Sequence, residues 1–295
     1  MLLSLTKINY KTFLINLLFS FIPISFIAGN LILNLNVLLF IIFSVVFYGK
    51  NILSLSFNNL DKIILIFFSY TIFTGVLNNL YLQSENLEDY YIIIKTFLYL
   101  RFLIFYLVIR VLINENIIDF KSFFIFCFIC TYFVSLDLIY QLNFGHDIFG
   151  YISTDPRRLS GPFENESIAG SYLQRFSVFA LFLFPLFLNN KNKIYLYLLL
   201  FLSFLLIIAG LIIAGNRVPL ILFLILITGV LYFNKSMKKF LFLFFLLSGI
   251  ILTTLWNLNS NFKNHFGGFV GKVDEIIEFA STVVIKNKES KYEVD

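Results

Sequence analysis

Residues 155–176 read DPRRLSGPFENESIAGSYLQRF. No other polar interruption is as long in a chain that otherwise runs as nearly continuous apolar segments. It holds Arg157 and Arg158, a Ser160-Gly161-Pro162 turn, Glu164 and Glu166, and then Arg175 inside the next apolar run. That much charge beside a hydrophobic span needs a polar purpose, so this loop and its neighbours read as an anion-handling site at one membrane face.

Outward from the loop, composition sets the class. The chain has 295 residues, 59% hydrophobic and 13% charged, with a mean hydropathy of +0.89. Soluble domains carry roughly 25% charged residues, so the composition is that of a polytopic membrane protein. The net charge of +5 comes from lysines in short connectors and is no nucleic-acid footprint. The forty phenylalanines read as lipid-facing bias, not as an aromatic binding box. Cys127 and Cys130 form a CxxC inside an apolar run, where burial holds a thiol inert. The basic start, Met1–Lys11, precedes an apolar run but has no A-x-A cleavage site, so it reads as a retained span.

Nine apolar runs approach the ~20 residues that span a bilayer. They fall at Thr12–Ala28, Leu31–Tyr48, Ile63–Leu80, Ile94–Ile113, Phe123–Leu142, Gly170–Leu188, Ile194–Ala214, Val218–Phe233 and Phe240–Trp256. The first two are joined tightly enough to form a helical hairpin. The connectors on one side hold Lys7, Lys11, Lys50, Lys62, Arg110, Lys121, Lys191, Lys193, Lys235, Lys238 and Lys239, whereas the opposite side holds Lys95, Arg157, Arg158 and Arg217. Positive residues mark the cytoplasmic side. The N-terminus is therefore expected inside, with the central loop and the tail outside. Residues 1–256 form the membrane domain. Residues 257–295 are polar, with a possible amphipathic helix over Lys272–Ile285, and read as the start of a larger outer loop in a protein that continues. The run GGFVGK at 267–272 is not a phosphate loop: Phe266 stands where the first glycine belongs and Val273 where Ser or Thr belongs.

Ionisable side chains within spans cost about 2.5–3.5 kcal/mol on insertion scales and are functional candidates by default. Arg101, Asp137 and Arg175 lie roughly five to seven residues from the outer ends of their spans, a depth of about 7–10 Å. Asp137 reads as the structural counter-charge of Arg101 or of Arg175. Arg158 and Arg217 each stand just before a span begins. There a guanidinium can grip phosphate oxygens bidentately, aided by the helix N-terminus that follows. Arg157 reads as an interfacial snorkeler. Glu166 admits two roles, a base for an incoming hydroxyl or an ordinary carboxylate near a helix N-terminus. His146 reads as a loop residue, and no His/Cys/Asp cluster has metal-ligand spacing. No metal or other cofactor is expected.

The segment RLSGPFENESIAGSYL, Arg158–Leu173, resembles the Arg-x-x-Gly-x-Phe signature of the bacterial O-antigen ligase and O-antigen polymerase superfamily. IIAGNRVPLILFLIL, Ile212–Leu226, is similar to that family's second motif, with Asn216-Arg217-Val218 where Ser-Arg-Gly is usual. The motif resemblance covers about residues 151–256. It implies an all-helical, lipid-donor glycosyltransferase-like fold in the bacterial inner membrane, with its active face periplasmic. It also implies transfer of a glycan from undecaprenyl diphosphate to lipid A core or to another glycan acceptor. Arg158 and Arg217, and more weakly Arg175, would bind the diphosphate, with Glu166 as the candidate catalytic carboxylate. The family's large outer loop carries a histidine important for transfer, and His265 precedes its expected place. Membrane lipids are the other expected partners. The alternatives are a transporter of an anion or lipid-linked oligosaccharide, and an inactive fragment or non-catalytic assembly subunit.

The charge asymmetry makes the topology testable. An impermeant thiol reagent on intact cells is expected to label a cysteine placed in the 142–170 loop and to leave Ser236→Cys unlabelled. The reverse pattern would invert the orientation.

Overall fold

The computed structural model describes residues 10–53, 56–81, 88–155, 158–183 and 193–233, with isolated positions beyond. Among the described residues the chain is all helical, and its one β-type contact is an isolated bridge between Asp155 and Arg158. In lipid, every backbone N–H and C=O must be satisfied within the chain, and long apolar runs achieve this as helices. Four helical stretches are long and apolar enough to cross a membrane: Asn30–Ile52, Asn59–Asn79, Ile93–Asn114 and Phe120–Phe144. The described chain is thus all helical, with four helices of a length and composition suited to a membrane. The ninth expected span, 240–256, and the tail, 257–295, fall for the most part outside the described residues.

The chain divides into two compact units, Met1–Phe126 and Cys127–Asp295. The first begins with α1 (Tyr10–Ser20) and α2 (Ile22–Ile27), which share the first expected span. Pro23, in the first turn of α2, cannot donate to the helical ladder, and the helix is interrupted just before it. α3 (Asn30–Leu53) returns alongside both, completing the expected hairpin. Asn36 clamps that return: its Nδ2 donates to Leu18 O at 3.1 Å and to Ser25 Oγ at 3.0 Å. Phe19 packs against Phe40, Phe120 and Phe123, so α1 also holds the start of α7 (Phe120–Phe144).

α4 (Asn59–Tyr81) leaves most of its apolar length outside the core. Ile63, Ile66, Phe67, Tyr70 and Phe73 are each more than half exposed, a surface that suits lipid and not water. The fourth expected span is built from two pieces, α5 (Glu88–Leu98) and α6 (Leu100–Asn114). At the break, Tyr99 N is shared between Lys95 O and Thr96 O, and Phe102 N bonds Tyr99 O in a tightened turn. No proline or glycine marks this break.

α6 also carries the unit's buried ion pair. Asp61, whose side chain is fully buried, is met by the Arg110 guanidinium. Its other oxygen accepts the Tyr106 hydroxyl at 2.8 Å, and Asn58 N donates to Oδ2 at 2.6 Å. Arg110 also reaches Ser56 O at 2.8 Å. Arg110, read from sequence as one of the connector cations, is therefore neutralised by Asp61.

The second unit holds most of α7, then α8 (Ala169–Leu181), α9 (Lys193–Ile213) and α10 (Arg217–Phe233). α8 packs against both α9 and α10, so it forms the centre of this unit. Its buried residues Ala169, Tyr172, Leu173, Phe176 and Ala180 recur at three- and four-residue spacing, the pattern of one helix face. α7 contributes Val134, Leu138 and Gln141 at the same spacing, all buried. The Tyr132 hydroxyl of α7 bonds Ser203 of α9.

Arg110→Met is expected to strand a buried carboxylate and to destabilise by about 3–5 kcal/mol. Asp61→Asn/Arg110→Met should recover much of that loss. Unfolding of the purified protein in detergent measures both, and additive losses would mean the pair is not coupled.

Candidate functional site

The loop after α7 leads into the first motif. It folds back onto the helix that precedes it, and the centre of the first motif, Leu159–Phe163, is buried. Backbone groups buried this way need acceptors and donors, and polar side chains at the end of α7 and in the loop supply them. Asp137 Oδ1 accepts Ile148 N at 2.8 Å. Gln141 Oε1 accepts Gly161 N at 2.9 Å, and Gln141 Nε2 donates to Tyr151 O at 3.4 Å. Asp147 Oδ1 accepts Tyr151 N at 2.6 Å, while Asp147 N bonds Tyr151 O at 3.0 Å. Gly161 has φ +55°, and a Cβ there would sit 3.3 Å from Leu138 Cδ2. Both the left-handed backbone and the close approach require glycine.

Past Phe163 the chain surfaces. Glu164, Asn165 and Glu166 are exposed, and α8 begins at Ala169 with Ile168 as its N-cap residue. Glu166 N bonds Phe163 O at 2.9 Å, and Ile168 N bonds Glu166 O at 2.8 Å. The backbone of Glu166 is thus fixed in the turn while its carboxylate is exposed, in keeping with either of its two expected roles.

The second motif meets the first at this turn. Asn216 Nδ2 donates to Ser167 O at 2.8 Å across 49 residues of sequence. A Cβ on Gly170 would come within 2.9 Å of Asn216 Cβ, so only glycine lets the two segments approach this closely. Arg217 follows directly as the first residue of α10. The N-termini of α8 and α10 therefore start side by side. No side chain caps α8, and the N–H groups of such helix starts carry partial positive charge.

Each expected site residue has a position relative to this joint. Arg158 is exposed; its Nε lies 3.9 Å from Asp155 Oδ2, and Ser153 Oγ donates to Arg158 O at 2.5 Å. Arg175 is exposed on α8, on the side away from the buried Tyr172–Leu173–Phe176 face. Arg157 lies outside the described residues. Arg101 belongs to the first unit, immediately after the α5–α6 break, with its guanidinium 4.9 Å from the Phe102 ring centre. Asp137 forms no ion pair with Arg175 or with any other described residue of its unit, because its role there is to accept Ile148 N. A pairing of Asp137 with Arg101 would join separate units and stays an expectation.

Sequence reasoning passed over Gln141, Asp147 and Asn216. Gln141 had a signal available, since it lies four residues from Asp137 on the same helix face. Cys127 and Cys130 are free and buried, and His146 Nδ1 lies 2.9 Å from Asp147 O, as a loop residue. Among the described residues no three His, Cys, Asp or Glu side chains cluster as metal ligands. No protein-family model matches the chain, and no curated protein or solved structure is significantly similar to it.

Gly170→Ala is expected to force the two motif segments apart and to destabilise by about 1–3 kcal/mol, the usual range for overpacking. Thermal unfolding in detergent measures it, and a neutral effect would mean the joint is loose.

Proposed function

We propose that this chain is a membrane-embedded glycan transferase of the O-antigen ligase and polymerase kind. Its donor is a glycan on undecaprenyl diphosphate, and its acceptor is lipid A core or a growing polysaccharide at the periplasmic face of the inner membrane. The observation that carries the reading is the joint at Ser167, Gly170 and Asn216. It draws two arginine-bearing segments together at two adjacent helix N-termini. Guanidinium groups and uncapped N–H groups are the donors that suit a diphosphate.

In this reaction an acceptor hydroxyl attacks the anomeric carbon of the donor glycan. The bond from that carbon to the diphosphate oxygen breaks, and the lipid diphosphate leaves with the electron pair. Arg158 and Arg217 stabilise the charge that develops on it. Glu166, exposed beside the joint, takes the hydroxyl proton. Arg175 fits a donor that arrives sideways from the bilayer, because it is on the exposed side of α8, part of the sixth expected span.

Carriage of an anionic lipid is the second reading, favoured by the broken helix at Tyr99 beside Arg101. Glycan transfer by purified protein in vesicles, with donor and acceptor on the same side, separates the two.

Arg217→Ala is expected to lower transfer roughly ten- to a hundredfold, the equivalent of one charge-assisted contact worth about 1.5–3 kcal/mol. Arg217→Lys should also fall, because lysine lacks the planar fork. Arg157→Ala should stay near wild type. The readout is surface polysaccharide from a host lacking its own enzyme, with membrane insertion checked in parallel. Full activity of Arg217→Ala would remove the residue from the site.

A further inference from the structure

The end of α7 and the loop after it hold a feature that anion binding does not use. Asp137 and Asp147 are both fully buried. Each gives one oxygen to a loop N–H, and the Oδ2 of each has no hydrogen-bond partner among the described residues. The two are close. Ile148 N lies 2.8 Å from Asp137 Oδ1, and a peptide nitrogen is about 2.4 Å from the preceding α-carbon, which here is that of Asp147. Ser160 is equally buried and its Oγ also lacks a partner. It adjoins Gly161, where an added Cβ would come within 3.7 Å of Asp137 Oδ2.

Among the described residues of the second unit, no basic side chain is ion-paired with either carboxylate. Arg110 is ion-paired with Asp61 and Arg158 with Asp155. The neighbouring His146 directs Nδ1 at a backbone oxygen. Two buried carboxylates with no counter-charge are costly, and the cost falls when a cation joins them. The unused donors are all oxygen: two carboxylates and a hydroxyl. Hard oxygen donors select magnesium or calcium over the softer metals. Calcium tolerates an irregular shell completed by carbonyls and water, whereas magnesium demands a near-ideal octahedron.

We propose that Asp137, Asp147 and Ser160 form the core of a binding site for one calcium ion, which pins the 145–163 loop onto α7. The ion balances the two carboxylate charges and fixes the segment that leads to Arg158. Its role is structural, and it does not depend on the glycan-transfer reading.

The test uses the full chain purified in detergent, freed of metal by a chelator, with calcium added at constant ionic strength. Calorimetry should find one calcium per chain, and the unfolding midpoint should rise by several degrees. Asp137→Asn and Asp147→Asn should each abolish binding while leaving the metal-free protein at least as stable, since one of two like charges is gone. Asp155→Asn, in the same loop but outside the pair, should bind as wild type does. Absence of calcium binding by the wild-type protein at millimolar concentration overturns the proposal. So does unchanged binding in both asparagine variants. Stabilisation by acid alone, with no calcium bound, would show instead that the carboxylates share a proton.

Discussion

The second unit depends on one constraint: a peptide group withdrawn from water must find its partner within the protein. In a helix the partner is four residues away. In the stretch between α7 and α8 it is not, and this stretch is folded against the bundle. Gln141 therefore takes Gly161 N, Asp137 takes Ile148 N, and Asp147 takes Tyr151 N. Each is a short polar side chain in an apolar setting, and each has a backbone N–H as its reason for being there. The first motif keeps its buried shape because these three acceptors exist.

This constraint also explains why Asp137 was read differently from sequence. An acidic residue inside an apolar run suggests a basic partner, and the sequence offers arginines at similar depth. Nothing in the sequence says that the loop beyond will fold back and present a peptide N–H instead. The same gap hid the burial of Leu159–Phe163, because the charged residues on either side give the whole segment a polar look. The apolar Leu159, Pro162 and Phe163 were the available signal. The exposure of Arg175, by contrast, was legible. Two and three residues from Leu173 and Tyr172, it falls off the stripe those residues define with Phe176 and Ala180.

The helices themselves were readable for a simpler reason. An apolar run of about 20 residues has few alternatives to a helix, and the ends of α3, α4 and α7 fall within a few residues of the apolar runs. Breaks within runs were not equally visible. Pro23 announces the division of the first span, but the turn at Tyr99 has no proline or glycine and rests on hydrogen bonds shared between carbonyls. Pairings distant in sequence were least visible. Asp61 with Arg110, and Asn216 with Ser167, each join residues 49 positions apart, and no local pattern specifies such a pair.

The joint between the two motifs also sets two helix starts beside each other. Two helix N-termini side by side repel one another, because each presents unsatisfied N–H groups of the same partial sign. Asn216 relieves part of this by bonding Ser167 O, and Glu164 and Glu166 bring negative charge to the same turn. Arg158, in the first motif, and Arg217, the first residue of α10, add positive charge to the two segments that the joint connects. On the glycan-transfer reading proposed above, an anion with several oxygens would offset that accumulated positive charge. A diphosphate has the charge and the number of acceptors for that proposed role, and Arg175 on the exposed side of α8 is the residue a lipid-linked donor would meet there.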